Sequence, residues 1–430
     1  MENTNKESIS DTVSNILTLR YDPTQHSLLP KLTWSDFTPD NQNPSIDFIE
    51  RLIQDNLKKN IGKEEKVSIA LSGGVDSTLV LTILRKLFPD VEVNAISIKF
   101  SDSVDETPFA ARIANELNAT HEVVKLDNYL SELPKAISII GLPFWDIHWY
   151  YVAKKANTIS KVLLAGDGGD ELFGGYTFRY KKFLTLTNST SRPLEKIKAY
   201  LDCHERDRVP DQENLFGTKV KFSWNSVYNN FNTYFDNPLS PIDQVFLSDF
   251  NGKLLYNFLP VNTALHAHFG LHAVAPIVSS EMIQYVTHIP NNMKYDPSTD
   301  TGKILLRKLL SKYNMDKKIV TEMVNDIIED KITQFIENIS SDEFIEEVTD
   351  RVIQGGVPVE NEEEVEEVRE IIGSKVVSFI TKQILSTNDK TIEVDISFYH
   401  PNDDETKKVY DIEGMTDEFN YKLKQVIKNN

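Results

Sequence analysis

The sequence predicts an α/β protein with a twisted parallel sheet and helices on both faces, then a helical region and an acidic α(+β) C-terminal extension. Short β-branched runs alternate with helical runs between residues 45 and 165, which is typical of βαβ units. A glycine-rich break follows two of the strand-like runs, and acidic residues dominate after about residue 316. We therefore divide the chain into an N-terminal arm (1–44), an α/β domain (45–316) and an acidic extension (317–430).

The alternating elements begin with an amphipathic helix at residues 45–61, SIDFIERLIQDNLKKNI, whose apolar side chains recur at helical spacing. The elements that follow are the strand VSIAL (67–71), the buried helix STLVLTILRKLF (77–88), the strand VEVNAISIKF (91–100), the helix DETPFAARIANELN (105–118), the strand HEVVKL (121–126) and the strand KVLLA (161–165). Strands separated by helices favour parallel pairing, because a crossover returns the chain to the same edge of the sheet.

The remainder of the chain is predicted to be mostly helical. Residues 180–300 combine helical runs with aromatic-rich loops, and residues 303–313, KILLRKLLSKY, form a basic amphipathic helix. The extension contains a strand near residues 390–401 and an acidic helix whose apolar face packs on its own domain or on a partner. The apolar residues of that face are Val365, Val368, Ile372 and Phe379.

Composition excludes several classes of protein. The net charge of −19 argues against nucleic-acid binding through the general surface, because phosphate contacts need a basic field. No run of 18 apolar residues predicts a membrane span, and the N-terminus has no features of a signal peptide. Cys203 is the single cysteine, so no internal disulfide forms and a reducing, cytoplasmic location is expected.

The first glycine-rich break, SGGVDS at residues 72–77, lies between a buried strand and a buried helix. This geometry binds anions, because backbone N–H groups and the helix N-terminus face the ligand. Phosphate loops that transfer a γ-phosphoryl group carry a lysine, whereas this loop carries Asp76. A carboxylate on Mg²⁺ suits a departing pyrophosphate instead. The binding candidates here are Leu71, Ser72, Gly73, Gly74, Asp76, Ser77 and Thr78.

The second break is AGDGGDELFGGY at residues 165–176, directly after the strand KVLLA. SGGVDS matches the pyrophosphate loop of the ATP pyrophosphatase superfamily, and the second break resembles the corresponding loop of its asparagine synthetase group. The segment DETPFAARIANELNATHEVV is also similar to that family, and the resemblance spans roughly residues 45–313. It implies an adenine nucleotide alpha hydrolase-like fold.

The resemblance also implies ligands. ATP and Mg²⁺ are the expected cofactors, with Asp76 and Asp170 facing each other across one metal ion. Both loops are expected at the carboxyl edge of the sheet, where open α/β folds bind ligands. Further nucleotide-binding candidates are Ser97 and Ile98 beside the adenine, Gly166 beside the ribose and phosphate, and Asp167 and Gly168 in the same loop. Glu171 is a weaker candidate.

The implied chemistry is attack of a carboxylate on the α-phosphate of ATP, followed by displacement of AMP by an amine. In asparagine synthetase the acid is aspartate and the amine is ammonia. The family's N-terminal glutaminase domain is not expected in residues 1–44, so ammonia would come from solution or from a separate partner.

Two more departures concern catalytic residues. In GLHAVAPIVS (270–279), His272 stands where the family has a glutamate, and a histidine with a pKa near neutrality can act as a base on an amine. The family's lysine loop after the LRK helix has no counterpart, so Lys303, Lys317 or Lys331 is expected to replace its lysine on the pyrophosphate. His272, Lys303 and Lys331 are the catalytic candidates.

Three functions remain open. The first is an ATP-dependent amide-forming ligase of the asparagine synthetase type. The second is a related ligase that joins a different carboxylate and amine, in the manner of β-lactam synthetase. The third is a nucleotide-binding protein without catalysis. Retention of both phosphate loops favours the first two, whereas His272 and the missing lysine loop favour the second or third.

Overall fold

The computed structural model describes residues 2–40, 43–100, 105–142, 148–215, 222–313, 397–399 and 409–411. The chain divides into two compact units, residues 1–316 and 317–430. In the second unit, strands Ser397–Tyr399 and Val409–Asp411 pair antiparallel. The predicted acidic helix around residues 362–379 and the candidates Lys317 and Lys331 lie outside the described residues.

The first unit is built on a five-stranded sheet. Its strands are β1 (Lys66–Ala70), β2 (Glu92–Phe100), β3 (Thr120–Leu126), β4 (Val162–Leu164) and β5 (His272–Val274). All pair in parallel in the order β3-β2-β1-β4-β5, which confirms the predicted parallel sheet. The fifth strand was not predicted. Strand order reverses between β1 and β4, so the chain continues from these two strands towards opposite sides of the sheet, an arrangement that forms a crevice at their carboxyl ends.

The described residues of the first unit are predominantly helical. The helices are α1 (Glu2–Leu19), α2 (Ile46–Ile61), α3 (Val75–Leu87), α4 (Thr107–Glu116), α5 (Leu133–Ile140), α6 (His148–Asn157), α7 (Gly169–Phe173), α8 (Thr177–Leu186), α9 (Pro193–Cys203), α10 (Gln212–Leu215), α11 (Trp224–Asn229), α12 (Asn232–Phe235), α13 (Pro241–Asp249), α14 (Leu259–Phe269), α15 (Ser280–Thr287) and α16 (Ile304–Ser311). Short 3₁₀ turns occur at Trp34–Phe37, Tyr129–Glu132, Glu205–Asp207, Pro276–Val278 and Asn291–Met293. None of the described helices is long and apolar enough to span a bilayer.

Strand β1 is covered on both faces, because consecutive side chains point to opposite faces and Val67, Ser68 and Ile69 are all fully buried. Residues of α5, α6 and α14 form one apolar cluster with Ile96 of β2 and Leu163 of β4. Helix α3 follows β1 and packs against α2 and α16. This burial on both sides fixes the strand ends rigidly, as a precise ligand site requires.

Helices α13 and α14 are joined by a π-helical segment, Phe250–Phe258, so that helical backbone runs from residue 241 to residue 269. Such segments are rare and frequently lie at functional sites. The fully buried Asn251 in this segment donates to Leu32 O at 2.8 Å and accepts from Leu32 N–H at 2.9 Å. Leu32 of the N-terminal arm is therefore held against the π-helical segment.

Helix α1 within this arm was not predicted. Thr18 Oγ1 donates to Gln212 Oε1 at 2.8 Å, and Gln212 Nε2 donates to Leu17 O at 2.8 Å. These contacts hold the end of α1 against the helical region. Polar side chains thus do much of the docking, which explains why apolar periodicity does not reveal this helix.

Candidate active site

The loops that follow β1 and β4 meet at the carboxyl edge of the sheet, and glycines permit their close contact. A Cβ atom on Gly166 would lie 2.7 Å from the backbone nitrogen of Ser77. A Cβ atom on Gly169 would lie 2.2 Å from Asp76 Cγ. Because side chains at these two positions would collide with the first loop, glycine is required for the loops to share one site.

The first loop turns sharply at Gly73, whose φ is +78°. A Cβ atom there would lie 2.6 Å from Phe109 Cδ1 of α4. Gly74 is the N-cap of α3, and its N–H donates to Ser72 Oγ at 3.2 Å. Asp76 falls in the first turn of α3, where the helix dipole favours a negative charge.

Asp76 of the first loop and Asp170 of the second share one cation. Lys303 Nζ lies 2.5 Å from Asp76 Oδ2 and 2.7 Å from Asp170 Oδ1. Lys303 immediately precedes α16, has a φ of +56°, and donates its N–H to Phe173 O at 3.0 Å. The two loops and the start of α16 thus converge on a single group of charges, which we call the aspartate–lysine cluster (Asp76, Asp170 and Lys303).

A cavity of about 440 Å³ opens beside this cluster. Eleven predicted residues line it, including the weaker candidate Glu171: Leu71, Ser72, Asp76, Ser77, Ser97, Ile98, Gly166, Asp167, Gly168, Asp170 and Glu171. Further lining residues that were not predicted to bind ligands include Phe100, Glu106, His148, Trp149, Tyr176 and Phe258. One wall is therefore apolar and aromatic, and the end nearest the second loop is acidic.

A profile of the asparagine synthase family matches residues 49–324, more than half of the chain and all of the elements that build this site. The chain belongs to the asparagine synthase family. A relative from Mycobacterium tuberculosis, assigned by name as a glutamine-hydrolyzing asparagine synthetase, is 30% identical over 213 residues, which are 45% of this chain and 32% of that protein. The asparagine synthetase 1 of Bacillus subtilis is 32% identical over 157 residues, 35% of this chain and 23% of that protein.

A third relative, the asparagine synthetase of Bos taurus, is 28% identical over 144 residues, 30% of this chain and 26% of that protein. The chain thus spans a third or less of the length of these relatives. An NH₃-dependent NAD synthetase structure from Campylobacter jejuni covers 46% of this chain and 99% of its own, at 14% identity and a TM-score of 0.26.

Burial makes the carboxyl groups of this asparagine synthase-family site weakly acidic. It raises the pKa of Asp76 to about 6, and the ammonium of Lys303 opposes that rise. It raises the pKa of Asp167 to about 7, although Asn262 Nδ2 of α14 donates to Asp167 Oδ2 at 2.5 Å. It raises the pKa of Glu171, which accepts a hydrogen bond from Tyr176, to about 8. The acidic end of the pocket is thus short of positive charge.

Lys303 itself stays charged. Burial alone would lower its pKa, but the carboxylates of Asp76 and Asp170 together outweigh burial and raise it. The family resemblance implies Mg²⁺ between these two aspartates, and the residues present fit such an ion. Their oxygens already converge on one cation, and Asp76 Oδ1 is buried without a hydrogen-bond partner among the described residues.

The backbone near the expected adenine position is partly occupied by protein contacts. Leu71 N–H donates to Ile96 O at 2.9 Å, and Ser97 Oγ donates to Leu71 O at 2.5 Å. Ser97 Oγ also lies 2.8 Å from His121 Nε2. The hydroxyl of Ser97 therefore orders the end of β1, a role that the sequence analysis did not assign.

The structure corrects the prediction for His272. This residue is the first of β5 and pairs with Val162, the first residue of β4, so it lies at the amino edge of the sheet. Its side chain is exposed, and its Nε2 is 3.2 Å from Asn60 Oδ1. Because the cavity opens at the carboxyl edge, a base at this position cannot reach a ligand there.

Thr78 is a second correction. Its side chain is fully buried within α3 and does not line the cavity, so the structure does not place its hydroxyl with the other predicted phosphate donors. Gly73 and Gly74 also lie outside the lining and shape the turn instead. Of the three lysine candidates, Lys303 is in the site, whereas Lys317 and Lys331 lie outside the described residues.

Asn262 is the clearest site residue that sequence reasoning missed. It is nearly buried, and it reaches Asp167 across 95 residues of sequence from the helix that continues the π-helical segment. No local motif identifies it. The sequence does contain one signal: the helical run LPVNTALHAHF has apolar residues around Asn262, which indicates that its amide lies on a buried face of the helix.

Proposed function

We propose that this protein is an ATP-dependent amide-forming ligase that adenylates a carboxylate and then joins it to an amine. The proposed substrates are aspartate and ammonia, with asparagine, AMP and pyrophosphate as products. The observation that carries the proposal is the aspartate–lysine cluster, in which one ammonium lies within 2.7 Å of carboxylates from both loops at the mouth of the cavity. Family membership supports the same class of reaction.

The proposed adenine position is the apolar wall formed by Ile98 and Trp149. Ile96 O accepts from Leu71 N–H, and residues two apart in a strand direct their backbone groups to the same side. Ile98 therefore directs its N–H and C=O towards β1 at a level where β1 has already ended. A donor and an acceptor at this spacing suit the hydrogen-bonding edge of adenine.

The triphosphate is proposed to lie beside Ser72 and Ser77, which line the cavity, with its leaving pyrophosphate beside the aspartate–lysine cluster. Asp76 and Asp170 would hold Mg²⁺, which supplies positive charge to the phosphates when it is bound. Lys303 carries a mobile ammonium on a four-carbon stem and is placed to neutralise the pyrophosphate as it leaves. The protein's contribution is chiefly positioning and charge stabilisation.

In the first proposed step, a carboxylate oxygen of the acid attacks the α-phosphorus, an O–P bond forms, and the bond to the bridging oxygen of pyrophosphate breaks. In the second step, the amine attacks the acyl carbon, the C–O bond to AMP breaks, and the amine loses a proton. Asp167 lines the cavity, and its pKa of about 7 suits it to accept that proton. His272 has no place in this scheme.

The test is a product assay on the full chain with ATP, Mg²⁺, aspartate and ammonium. We expect AMP, pyrophosphate and asparagine in equal amounts under multiple-turnover conditions. None of the three should accumulate over multiple turnovers when either aspartate or ammonium is left out of the assay. Asp76→Asn is the inactive control, and Asp202→Asn, an exposed aspartate of α9, is the matched active one. AMP formation only with some other acid would replace aspartate as the substrate, and no turnover with any acid would overturn the ligase proposal.

A second candidate is a ligase for a different carboxylate and amine. None of the described residues that line the cavity is lysine or arginine, whereas five are acidic. Free aspartate carries two carboxylates. The carboxylate that does not react stays negatively charged and would need a basic partner in the site. An acid with a single carboxylate, or a cationic amine, fits such a lining better. A panel of carboxylic acids in the same assay separates the two candidates.

The remaining parts of the proposal concern context. We propose that residues 45–316 carry the chemistry, that ammonia arrives from solution or from a separate ammonia-supplying protein, and that the enzyme works in the cytoplasm. Adding glutamine with a candidate partner, in place of ammonium, tests the source of nitrogen. Asparagine formed only when both are present would identify a partner.

A further inference from the structure

The aspartate–lysine cluster holds its lysine where a bridging metal would have to bind. An ion shared by Asp76 and Asp170 must lie within bonding distance of an oxygen from each, and Lys303 Nζ already lies 2.5 and 2.7 Å from such a pair. Mg²⁺ binds oxygens at about 2.0–2.1 Å. A metal ion held by both carboxylates would therefore compete with the ammonium of Lys303 for one position.

Three features show that this placement of Lys303 is built into the fold. A Cβ atom on Gly175 would lie 1.8 Å from Asp170 Oδ1 and 2.3 Å from Lys303 Cε, so only glycine leaves room for both side chains. A Cβ atom on Gly302 would lie 2.1 Å from Gly174 O, so the backbone before the lysine packs tightly on the second loop. Lys303 itself adopts a left-handed backbone conformation with a φ of +56°, which is unfavourable for a residue other than glycine.

We propose that Lys303 is an exchangeable counter-ion that occupies the metal position until a nucleotide arrives. Without nucleotide, its ammonium neutralises Asp76 and Asp170 and competes with divalent cations. Phosphate oxygens of a bound nucleotide then attract the ammonium away, and the vacated carboxylates take the metal. This inference rests on the proposed function only for the identity of the nucleotide, and it makes metal binding depend on nucleotide binding.

The consequence is an ordered site. Two carboxylates and one ammonium carry a net charge of −1, whereas two carboxylates alone carry −2 and attract a divalent ion more strongly. Lys303 would thus suppress metal binding by the free protein. The same side chain, once released, supplies a positive charge at the phosphates, so a single lysine serves two successive partners.

The experiment measures binding of Mn²⁺ alone to the nucleotide-free full chain by electron paramagnetic resonance. We expect Lys303→Met to bind one Mn²⁺ at least about tenfold more tightly than wild type, because removal of the competing charge leaves the carboxylate pair free. Lys312→Met is the matched control, since Lys312 follows the same helix and contacts Asp47 and Glu50 outside the cavity. Equal or weaker Mn²⁺ binding by Lys303→Met would overturn the proposal.

A second measurement covers the case in which Lys303→Met folds poorly. Lys303→Arg keeps the charge, so it should bind Mn²⁺ as weakly as wild type. In wild type, mass-spectrometric labelling of lysines should show Lys303 becoming more reactive relative to Lys312 as Mn²⁺ approaches saturation. Unchanged labelling would count against the exchange. Neither measurement uses product formation, so a chain that passes both and makes no AMP would refute the ligase proposal alone.

Discussion

Two clusters of charged side chains in the first unit differ in which charge is in excess: carboxylates in one and basic groups in the other. In the aspartate–lysine cluster, one ammonium serves two carboxylates, with Asp167 and Glu171 close by in the same pocket. In the second cluster, which we call the Asp207 cluster, basic groups outnumber the carboxylates of Asp207 and Asp249, the latter 3.7 Å from His204 Nε2. Those groups and their distances to Asp207 oxygens are Lys253 (2.5 Å), His204 (3.2 Å), Arg179 (3.4 Å) and Arg20 (3.5 Å).

The pKa values of the carboxyl groups in the two clusters shift in opposite directions. Burial opposes the charge of Asp207, but the hydrogen bond from His204 and the ammonium of Lys253 hold its pKa far below the usual range. At the carboxyl edge of the sheet, burial prevails and the pKa values of Asp76 and Asp167 rise instead. A carboxylate with surplus cations is a structural anchor, whereas carboxylates short of cations form a site that waits for one.

The sharpest way to break this comparison is Asp170→Asn. The side chain keeps its size and loses its charge, so we expect ATP–pyrophosphate exchange to fall roughly a thousandfold, because charge stabilisation of the leaving group is lost. The melting temperature should change by only a few degrees. Asp202→Asn should retain full exchange. Exchange at the wild-type rate in Asp170→Asn would remove Asp170 from the proposed metal site.

The converse change is Asp207→Asn. It leaves Lys253 and its basic neighbours without their shared carboxylate, and we expect a loss of about 3 kcal/mol in the free energy of unfolding. Urea unfolding monitored by circular dichroism measures this loss. Exchange activity per folded molecule should persist at low temperature. The exposed Asp202→Asn is the control, and its free energy of unfolding should stay within about 0.5 kcal/mol of wild type, as is usual for surface substitutions. If Asp207→Asn changed the free energy of unfolding as little as this control, Asp207 would not be an anchor.

Asp167→Asn is expected to have the smallest effect, and it tests the comparison through the pH dependence of stability. The folded-state pKa of Asp167 is about 7 against an ordinary value of 3.8, so between these values the folded protein holds a proton that the unfolded chain has lost. Wild-type stability should therefore fall as pH rises from about 4 to 7. The amide variant does not titrate, so its stability relative to wild type should increase by up to about 1.4 kcal/mol for each pH unit between these values.

Urea unfolding in the absence of divalent ions, at about pH 5 and about pH 8, measures this difference, because these two pH values lie on either side of the folded-state pKa of Asp167. Asp202→Asn is again the control and should track wild type at both pH values. An Asp167→Asn variant that also tracks wild type would mean that the carboxyl group loses its proton normally in the folded state.

Much of the fold follows from local pattern. Strands β1 to β3 and helices α2, α3 and α4 are long or strongly periodic. Strand β4 is short, but the apolar run KVLLA marks it, and glycine breaks mark where β1 and β4 end. The rule that parallel strands share a carboxyl edge then brings Asp76 and Asp170 together before any contact is seen. This is the part of the site that sequence alone predicts.

The misses have physical causes. Strand β5 has three residues, too few for periodicity to register, and its direction puts His272 at the wrong edge. Had residues 272–274 been recognised as a parallel strand, the same edge rule would have excluded His272. The sequence does not single out Lys303 among the three candidate lysines, because the space for its side chain depends on Gly175, which lies 128 residues earlier in the sequence.

The π-helical segment at Phe250–Phe258 sets the angle at which α14 presents its side chains to the site. Its i→i+5 hydrogen bonds put more residues into each turn than the α-helical bonds of α13 and α14. If the same residues wound as an α-helix, α14 would rotate around the helix axis relative to α13. Asn262 would then turn away from Asp167, although every side chain of the site would still be present. The wider winding is therefore itself a component of the site, and a substitution that tightened it would weaken the site without removing any of its polar groups.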